Sequence, residues 1–148
     1  MKKSSLLNAL IIVLCLPFIA HAKTVDVKMI SNGPNGERGF VPAVVYLHSG
    51  DSVHFIAQDF GHNAVSIPGM LPEGAKPFAG QMSQDLTVRF SKAGIYGYKC
   101  LPHYFMGMVG LVVVDNKNNE QAVKNIEQPG AAKEAFDKLF SQVDQKKF

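Results

Sequence analysis

The 148-residue chain has no tryptophan and only two cysteines. Cys15 lies in an N-terminal apolar run, so the remainder of the chain carries Cys100 alone. A lone cysteine closes no internal disulfide, which excludes a disulfide-stapled scaffold. Charge of either sign is sparse: 15 Lys and Arg stand against 12 Asp and Glu, a formal net charge of +3. Without a basic patch, a nucleic-acid partner has no electrostatic footprint to bind. The mostly apolar run Leu6 to Ala20 is short of the ~20 residues that a membrane span requires. Internal repeats and a second domain are also missing.

What is present is enough for one packed domain. Hydrophobic residues make up 47% and charged residues 18%, a balance that excludes bulk disorder. The N-terminus has its own layout. Lys2 and Lys3 precede the apolar run, and Ala20-His21-Ala22 is a small-x-small cleavage signal. This is the pattern of a secretory signal peptide over residues 1–22, with cleavage after Ala22. Leu14 is too bulky for lipid attachment at Cys15. The domain then runs over residues 23–148. Loss of Lys2 and Lys3 lowers the formal net charge from +3 to +1. The expected location is outside the cytoplasm, in an oxidising compartment. A single thiol there is buried and inert, reactive, or occupied by a metal.

Short alternating segments dominate the middle of the chain. Val25–Ile30, Ala43–Leu47, Ser52–Ala57, Asn63–Ile67, Leu86–Phe90, Ile95–Lys99 and Val109–Val114 read as strands, separated by Gly, Pro, Asn and Ser signals. Ser31–Gly39 reads as loop, and Pro68–Gln84 as a long surface excursion. Seven or eight short strands predict an antiparallel sandwich. Past Asp115 the period changes. Ala132, Ala135, Phe136, Leu139, Phe140 and Val143 fall at helical spacing, so two helices, over about 119–145, close the chain with an apolar stripe on the sandwich.

The densest chemistry is Lys99-Cys-Leu-Pro-His-Tyr-Phe-Met-Gly-Met108. Cys100 ends one strand and Val109 opens the next, so His103 and Met108 share a loop at one end of the sandwich. A thiolate and an imidazole three residues apart can reach one ion, and Met108 can return from the other side. Gly61-His62-Asn63 lies at a turn before a strand and suits a second histidine entering the same end. Two imidazoles, one thiolate and a weak thioether are the donor set of an electron-transfer copper site.

The sequence resembles the cupredoxins, and among them the pseudoazurins, across essentially the whole chain after the leader. Gly61-His62-Asn63, Met70-Leu-Pro-Glu-Gly74, the Cys100–Met108 run and the helical tail carry the resemblance. It implies an eight-stranded Greek-key β-sandwich with two C-terminal α-helices. It also implies a monomeric periplasmic carrier holding one copper ion on His62, Cys100, His103 and Met108, with Met106 packing or at the surface. The implied partner is a redox enzyme such as a copper nitrite reductase, docking transiently where the His103 edge emerges. Nucleic acid and, once the leader is gone, membrane are not expected partners. The chain departs from the family's lysine-rich rim: Phe60, Asn32 and Ala79 stand where lysine is common. Lys99 is retained, with Lys76 and Arg38 as possible neighbours.

Two other classes use similar residues. A cysteine–histidine pair could act as nucleophile and base, with Asn63 orienting the histidine. No oxyanion-hole glycine motif accompanies it, and two methionines have no role in acyl transfer. A periplasmic copper-binding protein or chaperone would use the same soft ligands without redox chemistry. His48 and His54 read as strand or turn residues without function, and His21 departs with the leader.

Overall fold

The computed structural model describes residues 21–147. The leader assigned to residues 1–22 lies outside the described residues, apart from His21 and Ala22. Eight strands follow: β1 (Thr24–Ile30), β2 (Gly39–Val41), β3 (Val44–Leu47), β4 (Ser52–Ile56), β5 (Val65–Ser66), β6 (Leu86–Arg89), β7 (Gly94–Lys99) and β8 (Val109–Val114). They form two four-stranded sheets, ordered β2-β1-β4-β6 and β3-β8-β7-β5.

The strand pattern alone predicts an antiparallel sandwich, but the sheets are mixed. β1 pairs with β4 in parallel, and β3 pairs with β8 in parallel. The connectivity explains this. After β2 the chain crosses to the second sheet as β3, then returns beside β1 in the same direction. β2 itself falls partly in the stretch read as loop. Its three residues sit on the edge of the first sheet, paired only with β1, too short to carry a periodic signal.

One sheet is half-buried and the other is covered on both faces. In β4 buried positions alternate with partly exposed ones, whereas all six residues of β8 are buried. The covering element is α2 (Ala132–Gln145), reached through the short α1 (Glu120–Lys124). Ala132, Phe136, Leu139, Phe140 and Val143 of α2 are buried against Ile95, Leu111 and Val113, the stripe expected from spacing. At the end of α2 the Val143 carbonyl accepts from both Lys146 N, at 3.3 Å, and Lys117 Nζ, at 3.0 Å.

Between the sheets, Val27, Val45, Phe55, Phe90 and Val112 are buried, with Val25, Leu86 and Val88 packed at the margin. Tyr98 lies edge-on to Phe40 and Phe55, with ring centroids 4.7 and 5.1 Å away. Each such fully buried side chain contributes ~1.5–3 kcal/mol, so the core is built by apolar packing between the sheets. The Pro68–Gln84 segment is only partly a surface excursion. Met70 is fully buried beneath it. Gly97 makes the slot: a Cβ there would stand 2.5 Å from the Met70 Cε. No helix among the described residues is long and apolar enough to cross a membrane.

Candidate metal centre

Two of the chain's connections meet at one end of the sandwich. His62 lies between β4 and β5. Cys100 follows β7, His103 precedes the 3-10 turn Tyr104–Met106, and Met108 precedes β8. The second loop is closed by its own backbone: Cys100 N donates to Met108 O at 3.0 Å, and Met108 N donates to His103 O at 3.1 Å. Gly107 ends the 3-10 turn at φ +87°, a left-handed conformation that favours glycine.

Asn63 straps the two loops together. It is buried, its Oδ1 accepts from Leu101 N at 3.0 Å, and its Nδ2 donates to Gly80 O at 3.1 Å. The His62 loop is pinned further by Ser83, whose Oγ accepts from Gly61 N at 2.9 Å. The helical tail supports the other loop. Ala131 N donates to Phe105 O at 3.0 Å, and Tyr104 OH donates to Gln128 Oε1 at 2.6 Å.

This framework brings three donor atoms together. The Cys100 Sγ lies 3.7 Å from His62 Nδ1 and 3.5 Å from His103 Nδ1, and the two Nδ1 atoms are 3.1 Å apart. Ligand atoms about 2.0–2.3 Å from one metal ion stand roughly 3–4 Å from each other. The donor set therefore fits one ion, and a thiolate with two imidazoles fits copper. Among the described residues this is the one group of His, Cys, Asp or Glu side chains close enough to hold a metal. Met108 is buried and lines a hollow of about 410 Å³ together with His62 and His103. Met106 lines its rim but is 74% exposed. A larger hollow, between α1 and α2, is lined by none of the donors.

Burial shapes the electrostatics. It pushes the Cys100 thiol up from its ordinary pKa, against backbone hydrogen bonds from Asn63 and His103 that pull it down. His62 is held below the usual histidine range by burial first and by the neighbouring His103 second, with Asp59 opposing both. A neutral imidazole is the form that binds a metal. A thiol with no exposed surface and a raised pKa is a poor nucleophile toward an external substrate, which counts against the cysteine–histidine hydrolase.

His103 is partly exposed, unlike His62 and Cys100. Around its loop Leu101, Phe105 and Met106 are exposed, and Phe60 beside Gly61 is 91% exposed. Arg38 lines the same hollow as His103, and the Lys99 ammonium sits 4.3 Å above the Tyr104 ring. Lys76 instead lines a separate hollow beside Phe90. His48 and His54 are surface residues facing Asp115 and Asp26, respectively. Two contributors escaped sequence reasoning. The sequence offers Asn63 as part of the Gly61-His62-Asn63 turn and as a possible partner of a nucleophile's histidine, not as a strap between two loops. Ser31, whose Oγ lies 2.7 Å from His62 Nε2, carried no signal because its contact spans 31 positions.

Comparison with known proteins agrees with this geometry. Residues 27–115 match the sequence profile of copper binding proteins of the plastocyanin/azurin family. A pseudoazurin of Methylorubrum extorquens is 45% identical over 125 residues, covering 84% of each chain. A pseudoazurin of Paracoccus pantotrophus is 38% identical over 141 residues, covering 95% of this chain and 97% of its own. The solved structure of a Sinorhizobium pseudoazurin superposes with a TM-score of 0.80 at 40% identity, covering 83% of this chain and 98% of that one. The chain belongs to the plastocyanin/azurin family of copper-binding proteins, on its pseudoazurin branch.

Proposed function

We propose that this chain is a periplasmic electron carrier with one copper ion held by His62, Cys100, His103 and Met108. The observation that carries the reading is the set of separations, 3.1 to 3.7 Å, among one buried thiol sulfur and two imidazole nitrogens. Copper bound there supplies one-electron chemistry between Cu(I) and Cu(II). The remaining work falls to the chain. Buried Cys100 and His62 exclude water from the centre. The Asn63 strap and the closed 100–108 loop hold the donors in one arrangement, so little reorganisation accompanies a change of charge. Partly exposed His103 is the route between the centre and the surface.

The partner is a redox enzyme, such as a copper nitrite reductase, that docks transiently over Phe60, Leu101, Phe105 and Met106 at the His103 edge. The carrier is a monomer and not itself an enzyme. It is exported by the segment at residues 1–22, which is removed after Ala22. A copper chaperone would need its thiol within reach of an acceptor's ligands; full burial of Cys100 weighs against that.

The absorption spectrum of the oxidised, copper-loaded protein tests the proposal. Thiolate-to-Cu(II) charge transfer makes a carrier intensely blue or green. A colourless copper-loaded protein would turn the reading toward a Cu(I) chaperone. The mass of the exported protein tests the cleavage site.

A further inference from the structure

His62 uses both of its ring nitrogens. Nδ1 faces Cys100 and His103, at 3.7 and 3.1 Å. For Nδ1 to offer a lone pair, the imidazole proton must sit on Nε2. His62 is only 4% exposed, and a buried N–H needs an acceptor. The side chain at hand is Ser31, with its Oγ 2.7 Å from Nε2.

Ser31 is itself held. It is the first residue after β1, and its backbone N–H donates to Asp59 Oδ2 at 2.6 Å. The same carboxylate oxygen takes a longer bond, 3.4 Å, from Asn32 N. Asp59 N in turn donates to Met29 O at 3.2 Å. Asp59 stands three residues before His62 on the same connection. One carboxylate thus ties the end of β1 to the loop that carries the histidine, and the Ser31 hydroxyl is fixed relative to the ring.

We propose that Ser31 is a positioning residue of the metal centre: its hydroxyl oxygen accepts the Nε2 proton of His62, which fixes the tautomer and ring plane that present Nδ1 to the metal. Asp59 sets Ser31 in place. This rests on the reading of His62 as a ligand. Partners of this kind orient ligating histidines and raise their basicity.

The test uses Zn(II) as a diamagnetic probe, in 15N-labelled protein, with the parent, Ser31→Ala, Ser31→Thr, Asp59→Asn and His62→Ala. In the parent, the His62 Nε2–H is slow to exchange with solvent. Ser31→Ala speeds that exchange and weakens Zn(II) and copper binding by about 10–100-fold in chelator competition. Ser31→Thr restores both, because it keeps the hydroxyl. Should Ser31→Ala fail to fold, Asp59→Asn takes its place: the hydroxyl remains but loosens, and the Nε2–H exchanges faster than in the parent. The proposal is overturned if the folded Ser31→Ala protein, or Asp59→Asn in its stead, binds Zn(II) as tightly as the parent with Nε2–H still protected. Undiminished binding by His62→Ala would instead overturn the ligand reading itself.

Discussion

His62 and His103 place their Nδ1 atoms 3.1 Å apart across 41 positions of sequence. Neither loop could impose that separation alone. It follows from the Asn63 bridge to Leu101, which fixes the two loops relative to each other, and it sets two nitrogens and the Cys100 sulfur at separations that fit one ion.

Replacing the sulfur should therefore remove the spectrum without removing the fold. Cys100→Ser or Cys100→Ala is expected to abolish the visible charge-transfer band of the copper-loaded protein. Far-ultraviolet circular dichroism should stay that of the parent, because the core is built from Val27, Phe55, Phe90, Val112 and their neighbours. An apo protein without β signal would move the metal into the class of structural ions, whose binding is coupled to folding.

Met108→Gln is expected to retain copper and lower the reduction potential. A harder oxygen donor favours Cu(II) over Cu(I), and the axial position tunes the potential. Met106, exposed on the rim, should be indifferent to the same change. Protein-film voltammetry of the two variants separates them; an unmoved potential in Met108→Gln would exclude its thioether as a ligand.

Docking should depend weakly on salt. Steered association falls steeply with ionic strength, and screening acts over about 8 Å at physiological salt. Here the surface near His103 is mostly apolar, with Phe60 and Phe105 exposed, while Arg38 and Lys99 supply the nearby positive charge. Second-order electron-transfer rates to a purified acceptor, measured across a salt series, should fall only gently. Phe60→Lys should steepen the dependence for an acidic acceptor. A steep fall in the parent, with a large loss in Lys99→Ala, would mean that charge governs docking.

Tyr98 and Gly110 face each other across β7 and β8. A Cβ at Gly110 would stand 2.2 Å from the Tyr98 Cζ, so Gly110→Ala should cost on the order of 1–3 kcal/mol or more through overpacking. Tyr98→Val in the same chain should recover part of that loss. The Tyr98 hydroxyl is fully buried without a hydrogen-bond partner among the described residues. Tyr98→Phe is therefore expected to be neutral or stabilising in urea unfolding, since the unpaired group costs desolvation.

Asp51 should give the fold an acid-sensitive joint. It is 7% exposed and accepts from Lys23 N at 2.7 Å and His48 N at 2.9 Å. These bonds, Lys23's first, hold its carboxyl below the usual carboxylate range. A depressed folded pKa means stability that is present above the unfolded value, ~3.9, and lost as pH falls through the folded value. Asp51→Asn should be less stable than the parent at neutral pH, by roughly 1–2 kcal/mol, and the difference should close in acid. If cleavage follows Ala22, Lys23 N becomes the terminal ammonium facing this carboxylate, and the protein still bearing its leader should lose less on the same substitution.

Sequence alone determined what short spacing can encode. Cys100, His103 and Met108 occupy one loop, and their donor chemistry is evident from residue type. The strand alternation and the α2 stripe from Ala132 to Val143 are likewise local patterns, legible because period follows backbone geometry. Tertiary structure decided what separate segments do together. The parallel pairing of β1 with β4 arises from crossing between sheets. Met70 turned inward because Gly97, 27 residues later in the sequence, leaves a slot. Ser31 reached His62, and Asn63 reached Leu101, across 31 and 38 positions. A hydrogen bond between distant segments has no period and no fixed spacing, so only the packed sandwich could bring these partners together.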